Sequence, residues 1–250
     1  MIDFTGRAVL ITGGTRGIGR AIAEAFLASG ADVVVCGRSA PEQPPTAAGR
    51  SATFVAADVR AADQAEAAVS AAAERCGRLD VVVNNAGGSP DADAATVSTR
   101  FVDKIVALNL LAPFYVAQAA HARMRDAGGV VINIGSVSAH DPQPGTAAYS
   151  AAKAGLLALT RALALEWAPR VRVNHITTGL VRTEAAAPGY GADGGAAVAS
   201  LIPMGRMATP DDVAGTCLYL ASDLASYVTG ADIAVHGGGE VPARYVATRP

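Results

Sequence analysis

Arg7 to Thr12 (RAVLIT) is a short apolar run that ends on Thr12-Gly-Gly-Thr-Arg-Gly-Ile-Gly19 and gives way to an amphipathic pattern from Arg20 to Ser29. A buried strand, a glycine-rich turn and a helix in that order leave few folds open, because the turn must bring the helix start back against the strand end. Gly13 permits the tight turn, Gly17 lets the main chain approach a pyrophosphate, and Gly19 allows helix to pack on strand. Unpaired N–H groups at the helix start then favour an anion. The spacing predicts the opening unit of an α/β domain that binds a dinucleotide, with Thr15, Arg16 and Ile18 on the same loop.

Strand and helix patterns keep alternating after this unit. Buried strands are expected over 32–37, 51–57, 79–83, 129–135, 170–176 and 233–235, and helices over 61–76, 96–125, 147–167 and 211–221. Such alternation predicts a single domain over 1–250, a doubly wound parallel sheet with helices on both faces. Residues 39–50 hold Pro41, Pro44 and Pro45, so a loop or reduced turn is expected there instead of a helix. Pro113 predicts a kink within 96–125. The Ala- and Gly-rich segment 184–202, with Pro188 and Tyr190, suits a lid over a substrate pocket, and the tail 240–250 has no strong pattern.

Composition excludes some partners. The 250 residues are 51% hydrophobic with a net charge of -2 and only 5% aromatic; without a basic cluster or stacking platforms, neither nucleic acid nor an acidic membrane surface is an expected partner. Cys36, Cys76 and Cys217 form no CxxC pair and are expected as buried free thiols in a reducing compartment. His121, His140, His175 and His236 share no metal-ligand spacing and are read as surface or pocket histidines, so no metal is expected. The N-terminus lacks a signal-peptide pattern, and no uncharged apolar run approaches ~18 residues. A cytoplasmic protein without a membrane span is expected.

The strand ends carry the candidate site. Gly37 stands where an acid would meet a free ribose 2′-hydroxyl; Arg38 and Ser39 follow, and Arg16 lies in the glycine loop, so NADP(H) is favoured over NAD(H). Asp58 and Val59 end the third strand, where they can meet the adenine amino group. Asn85, Ala86 and Gly87 let a cofactor pass close to the main chain, while Asn84 and Asn85 can anchor turns or reach neighbouring strands. Asn109 is a costly amide inside a helix, and capping of a kink accounts for it. Ser136 follows the fifth strand. Ser138, His140 and Gln143 follow and, with Tyr190, are the candidates for the substrate pocket. Tyr149 and Lys153, four apart, share one helix face. A neighbouring cation lowers a phenol from its usual ~10, which makes Tyr149 a candidate proton donor or acceptor.

With TGGTRGIG (12–19), NNAG (84–87), Asn109, Ser136, Tyr149-x-x-x-Lys153 and LASDLASYVTG (220–230) in order, the chain resembles the short-chain dehydrogenase/reductase family over nearly its whole length. The resemblance implies a seven-stranded sheet in the order 3-2-1-4-5-6-7 and hydride transfer between NADP(H) and a carbonyl or secondary alcohol. It implies that Tyr149 exchanges a proton with the substrate oxygen, Ser136 polarises the carbonyl, and Lys153 lowers the Tyr149 pKa and holds the nicotinamide ribose. Asn109 would hold a relay water, and Gly179, Val181 and Thr183 would meet the cofactor. Similarity to 3-oxoacyl carrier-protein reductases points to a 3-oxoacyl thioester, with Arg125 and Arg170 as candidate basic residues for a carrier arm. An alcohol, sugar or steroid dehydrogenase is the alternative enzyme, and a dinucleotide-sensing protein the alternative class. A homotetramer packed through 96–125 and 146–168 is the family's usual assembly. Thr178-Gly179 and His236-Gly237-Gly238 depart from the family's Pro-Gly and Asp-Gly-Gly.

Overall fold

Apolar residues recur along the central strands without a polar break, so those strands are buried on both faces, as a parallel sheet covered by helices requires. The computed structural model describes residues 2–184, 186 and 195–239; Tyr190, Pro188 and the tail 240–250 lie outside the described residues. In chain order the elements are β1 (Ala8–Thr12), α1 (Gly17–Ala28), β2 (Asp32–Gly37), β3 (Thr46–Ala47), β4 (Arg50–Ser51), β5 (Thr53–Ala56), α2 (Ala62–Cys76) and β6 (Val81–Asn84). Then come α3 (Thr99–Val106), α4 (Ala112–Met124), β7 (Gly129–Ile134), α5 (Ala147–Trp167), β8 (Val171–Thr178), α6 (Ala196–Ser200), α7 (Pro210–Ala221) and β9 (Asp232–Val235).

Seven strands form one parallel sheet in the order β5-β2-β1-β6-β7-β8-β9, the expected order once β3 and β4 are left out of the count. Those two strands are a small antiparallel hairpin within the proline-bearing segment. Side chains alternate between the two faces of the sheet. Val9, Ile11, Val83 and Ile132 pack under α1 and α7 with Ile22, Phe26, Cys217 and Leu220. Leu10, Val82 and Val131 pack under α2 and α4 with Val69, Ala72, Val116 and Met124. Each fully buried aliphatic side chain of this kind contributes about 1.5–3 kcal/mol.

Helix α7 starts as its sequence dictates. Thr209 is the N-cap, Pro210 fills the first turn, and Asp212 closes a capping box, its carboxylate accepting the Thr209 N–H at 2.7 Å. The free thiols divide: Cys36 and Cys217 are buried, whereas Cys76 is only half-buried. Thr99–Met124 is, by length and composition, apolar enough to cross a membrane, which the sequence reading of apolar runs did not expect. In this fold Val116, Ala117, Ala120 and Met124 of that stretch pack in the core.

The interruption expected at Pro113 lies earlier. Between α3 and α4 the chain makes a π-helical turn, Ala107–Leu111, with Asn109 fully buried inside it. Pro113 sits in the first turn of α4, where its missing N–H is tolerated. Gly155 of α5 accepts this turn closely; a Cβ there would stand 3.1 Å from Leu110 Cδ2. The π turn and α5 are thereby drawn together near the strand ends.

At the opposite end of the sheet, Asp80 ties three segments together. Its Oδ2 accepts the Ala8 N–H at 2.8 Å and Arg78 Nε at 2.7 Å, and its Oδ1 accepts Arg7 at 3.2 Å. Burial raises this carboxyl, but the bonds from Arg78, Ala8 and Arg7 outweigh it and hold the pKa below the ordinary value. Asp80→Ala should destabilise the fold by about 1–3 kcal/mol at neutral pH, chiefly through the buried acceptor lost to Ala8. Because the folded pKa is depressed, the charge-dependent part of this contribution is present above the unfolded value and is lost as pH falls through the folded one, while the neutral carboxyl still accepts from Ala8. Urea denaturation of wild type and variant at neutral and acid pH reads both effects; an equal gap at both contradicts the assignment.

Candidate active site

At the carboxyl ends of β1, β2, β5 and β6 the sheet opens on a cleft of about 1290 Å³, at the point where strand order reverses. The glycine turn forms its floor. Gly13 (φ +63) and Gly17 (φ +52) hold left-handed conformations, and a Cβ on Gly19 would overlap the Gly13 carbonyl oxygen and the Asn85 side chain. The turn is tied from behind. Thr12 Oγ1 accepts the N–H groups of Asn85 and Ala86, both at 3.0 Å, and Asn85 Nδ2 donates to the Thr12 and Gly13 carbonyls at 3.0 and 3.1 Å. No acidic residue stands in the first turn of α1, so its N–H groups meet the cleft without a competing carboxylate. A dinucleotide fits such a cradle: the main chain is bare where phosphate must approach, and donors point at it.

Gly13, Thr15, Arg16, Gly17, Ile18, Gly19, Arg38, Ser39, Asp58, Val59, Asn85, Ala86, Gly87 and Thr183 all line the cleft. Arg16 and Arg38 are exposed side chains at the edge where β2 ends on Gly37. Arg60 grips the Asp58 carboxylate through Nε at 2.9 and 3.1 Å, and this bond more than offsets burial in lowering the Asp58 pKa. Arg20, Glu42 and Arg60 line the same end, and sequence reasoning missed them. Each lies just beyond a recognised motif, in positions no spacing rule marks.

A second group of side chains meets the cleft at its inner end. A Cβ built on Gly87 would stand 2.9 Å from Asn109 Oδ1 and 3.3 Å from Lys153 Nζ, so both converge on that residue. Asn109 Oδ1 accepts the Gly88 N–H at 2.9 Å, while Nδ2 donates to the Gly88 and Ile105 carbonyls, both at 3.0 Å. Its side chain therefore braces the loop after β6. Lys153 is buried, and its Nζ donates to the Ile134 carbonyl at 2.8 Å. Ser136 Oγ accepts the Ser138 N–H at 3.2 Å and lies against the Tyr149 phenol.

The electrostatics differ from expectation. The Lys153 ammonium lies over the Tyr149 ring, 5.6 Å from its centroid, and does not lower the phenol. Burial pushes the Tyr149 pKa up, and the Ser136 hydrogen bond draws it only part of the way back. Burial also pulls Lys153 down to about 8. In a low-dielectric site each group favours its neutral form, and that outweighs their mutual effect.

Other candidates lie apart from the cleft. Gly179 donates its N–H to the Val235 carbonyl at 3.0 Å and packs against His236, and Val181 is buried where it bridges to Ala208. Of the substrate-pocket candidates, Ser138 is buried, Gln143 is exposed, and His140 turns to Asp232 at 2.8 Å. None of these three lines the cleft. His175, read as a surface or pocket histidine, is fully buried. Arg125 and Arg170 precede β7 and β8 and stand at the far edge of the sheet; the Arg170 carbonyl accepts the Gly129 N–H at 3.1 Å. They cannot border the cleft mouth.

A family profile described as Enoyl-(Acyl carrier protein) reductase matches residues 13–240. The D-threitol dehydrogenase of Mycolicibacterium smegmatis is 37% identical over 93% of this chain and 92% of its own length. The 3beta-hydroxysteroid dehydrogenase 1 of Eggerthella lenta is 38% identical over 94% of each chain. Among solved structures, a short-chain type dehydrogenase/reductase from Mycobacterium marinum is 33% identical, with a TM-score of 0.85 over 96% of this chain and 98% of that one.

Proposed function

The chain belongs to the short-chain dehydrogenase/reductase family, whose members are NAD(P)-dependent oxidoreductases of CH–OH groups, and from that premise we propose that it reduces a ketone with NADP(H), a 3-oxoacyl thioester or a related metabolite, through Asn109, Ser136, Tyr149 and Lys153. One observation carries the proposal. Asn109 and Lys153 converge on Gly87 at the inner end of the cleft, with Ser136 against the Tyr149 phenol.

When bound, the dinucleotide supplies the hydride. Tyr149 holds the proton: burial keeps the phenol protonated near neutral pH, so its Oη–H can be given to the carbonyl oxygen. The Ser136 hydroxyl donates to that same oxygen and stabilises the charge developing there. Lys153 Nζ holds the nicotinamide ribose and returns a proton toward Tyr149. The Asn109 carbonyl, within the π turn, would hold the water that resupplies Lys153. The bare main chain at Gly13 and Gly17 receives the pyrophosphate, while Arg16 and Arg38 hold the 2′-phosphate that distinguishes NADP(H). Thr183, which lines the cleft, completes the nicotinamide side.

The 3-oxoacyl substrate is supported by similarity to the 3-oxoacyl-[acyl-carrier-protein] reductase FabG of Chlamydia pneumoniae, 34% identical over 95% of this chain and 98% of its own length. A second proposal, oxidation of a secondary alcohol in a polyol or steroid, draws on the relatives that bear those names and on the position of Arg125 and Arg170, at the opposite end of the strands from the cleft. A panel of 3-oxoacyl thioesters, simple ketones, polyols and hydroxysteroids, followed by nicotinamide absorbance, tests both. Tight NADPH binding without turnover on any member would favour a sensor instead. Reductive turnover should fall as pH rises through about 8, where Lys153 loses its charge, whereas oxidation should rise with pH because it needs the phenolate; profiles of equal slope would contradict these proton assignments. A tetramer packed through α4 and α5 is also proposed, supported by exposed Phe114 and Leu165; a monomer on sedimentation would refute it.

A further inference from the structure

Away from the cleft, one carboxylate joins three parts of the chain. Asp232, the first residue of β9, has Oδ1 2.9 Å from His175 Nδ1 and accepts Thr177 Oγ1–H at 2.6 Å, while its Oδ2 is 2.8 Å from His140 Nε2. Burial alone would raise this carboxyl, but the hydrogen bonds from Thr177, His175 and His140 hold it below its ordinary value. An ionised carboxylate only accepts, so the ring nitrogens facing it both carry hydrogens. Burial opposes the charged form of His175, and with a hydrogen fixed on Nδ1 the neutral ring keeps a lone pair on Nε2. That Nε2 is buried without a hydrogen-bond partner among the described residues, so the ring is anchored from one side only, by Asp232 and Thr177.

The ring so anchored lies directly against Gly135, where a Cβ would occupy its place. Thr178 Oγ1 donates to the Gly135 carbonyl at 2.8 Å from the same strand. Five residues further on, His140 is held by the other oxygen of the same carboxylate. Asp232 thus reaches both ends of the segment 135–140, through a buried ring at its entry and a direct bond at its exit. Between them lies Ser136, whose Oγ closes the intervening turn by accepting the Ser138 N–H at 3.2 Å.

We propose that Asp232 is a positioning residue for the reaction, holding segment 135–140 through His175 and His140 and thereby fixing Ser136 against Tyr149. This rests on the roles proposed above for Ser136 and Tyr149. The lever is distance: loss of the brace lets the serine hydroxyl move relative to the substrate oxygen without touching the cofactor cradle on β1, β2 and β6.

The test compares wild type with Asp232→Ala, Asp232→Asn, His140→Ala and His140→Gln in kcat, KM, NADPH affinity, melting temperature and hydrogen exchange over 135–140. Misplacement of a catalytic group should lower kcat by about 10- to 100-fold in Asp232→Ala and by less in His140→Ala, with NADPH affinity unchanged. Asp232→Asn and His140→Gln, which can restore hydrogen bonds of similar reach, should recover much of the loss. Exchange at the Ser138, Ala139 and His140 amides should quicken in both alanine variants. If Asp232→Ala does not fold, the exposed His140 decides through its own variants. Wild-type kcat and unchanged exchange in His140→Ala would overturn the brace while leaving the reaction standing. A wild type inert toward every substrate, with quickened exchange in the variants, would fault the reaction and not the brace.

Discussion

Tyr149→Phe should lower kcat by about 10²- to 10⁴-fold, the usual worth of a positioned proton donor, while NADPH still binds with wild-type affinity. The substitution removes one oxygen and little else. The ring remains under Lys153, whose Nζ stays bonded to the Ile134 carbonyl at 2.8 Å, and the cleft lining does not include Tyr149. Steady-state absorbance gives kcat, and quenching of protein fluorescence gives the NADPH affinity. A loss below about tenfold would mean that another group supplies the proton.

The second large effect concerns cofactor choice. Arg38→Asp should weaken NADPH by roughly 100-fold and improve NADH, because charge-assisted hydrogen bonds to the 2′-phosphate are lost and a carboxylate is placed where a ribose 2′-hydroxyl can meet it. Each such bond is worth about 1.5–3 kcal/mol, and about 1.4 kcal/mol corresponds to a factor of ten. Arg16→Ala should have a smaller effect in the same direction. Both arginines are exposed at the cleft edge, so the NADPH preference should also shrink as salt screens the phosphate. Equal NADPH/NADH ratios in wild type and Arg38→Asp would remove the basis for NADP(H).

Much of the frame was legible in the sequence because its determinants are local. Ala147–Trp167 forms over the expected residues, since its Ala- and Leu-rich run outweighs the single interior glycine, Gly155. The glycine turn was legible for the same reason: Gly13, Gly17 and Gly19 each answer a constraint set within a few residues. Alternation of strands and helices marked a doubly wound parallel sheet, while the order of its strands came with the family resemblance.

What escaped the sequence depends on residues brought together from afar. Pro113 looked like the source of the kink, but the π turn is stitched by Asn109 to Gly88, 21 residues away. The pKa order of Tyr149 and Lys153 follows from burial, which helical spacing does not reveal. Arg125 and Arg170 read as neighbours of the pocket, yet both precede strands whose opposite ends carry the site. His175 and Asp232 lie 57 residues apart and meet only because β8 and β9 pair. Neither carries a motif that marks it.

The central claim is that hydride passes between the nicotinamide and a substrate carbon while this chain holds the proton on Tyr149. Mass analysis of the alcohol formed from a ketone and NADPH deuterated at the transferable nicotinamide position tests it most directly. The account predicts one deuterium on the carbinol carbon and none on the oxygen, with label transfer slowed in Tyr149→Phe in step with kcat. Alcohol formed without label, or label transfer undiminished in the variant, would contradict it.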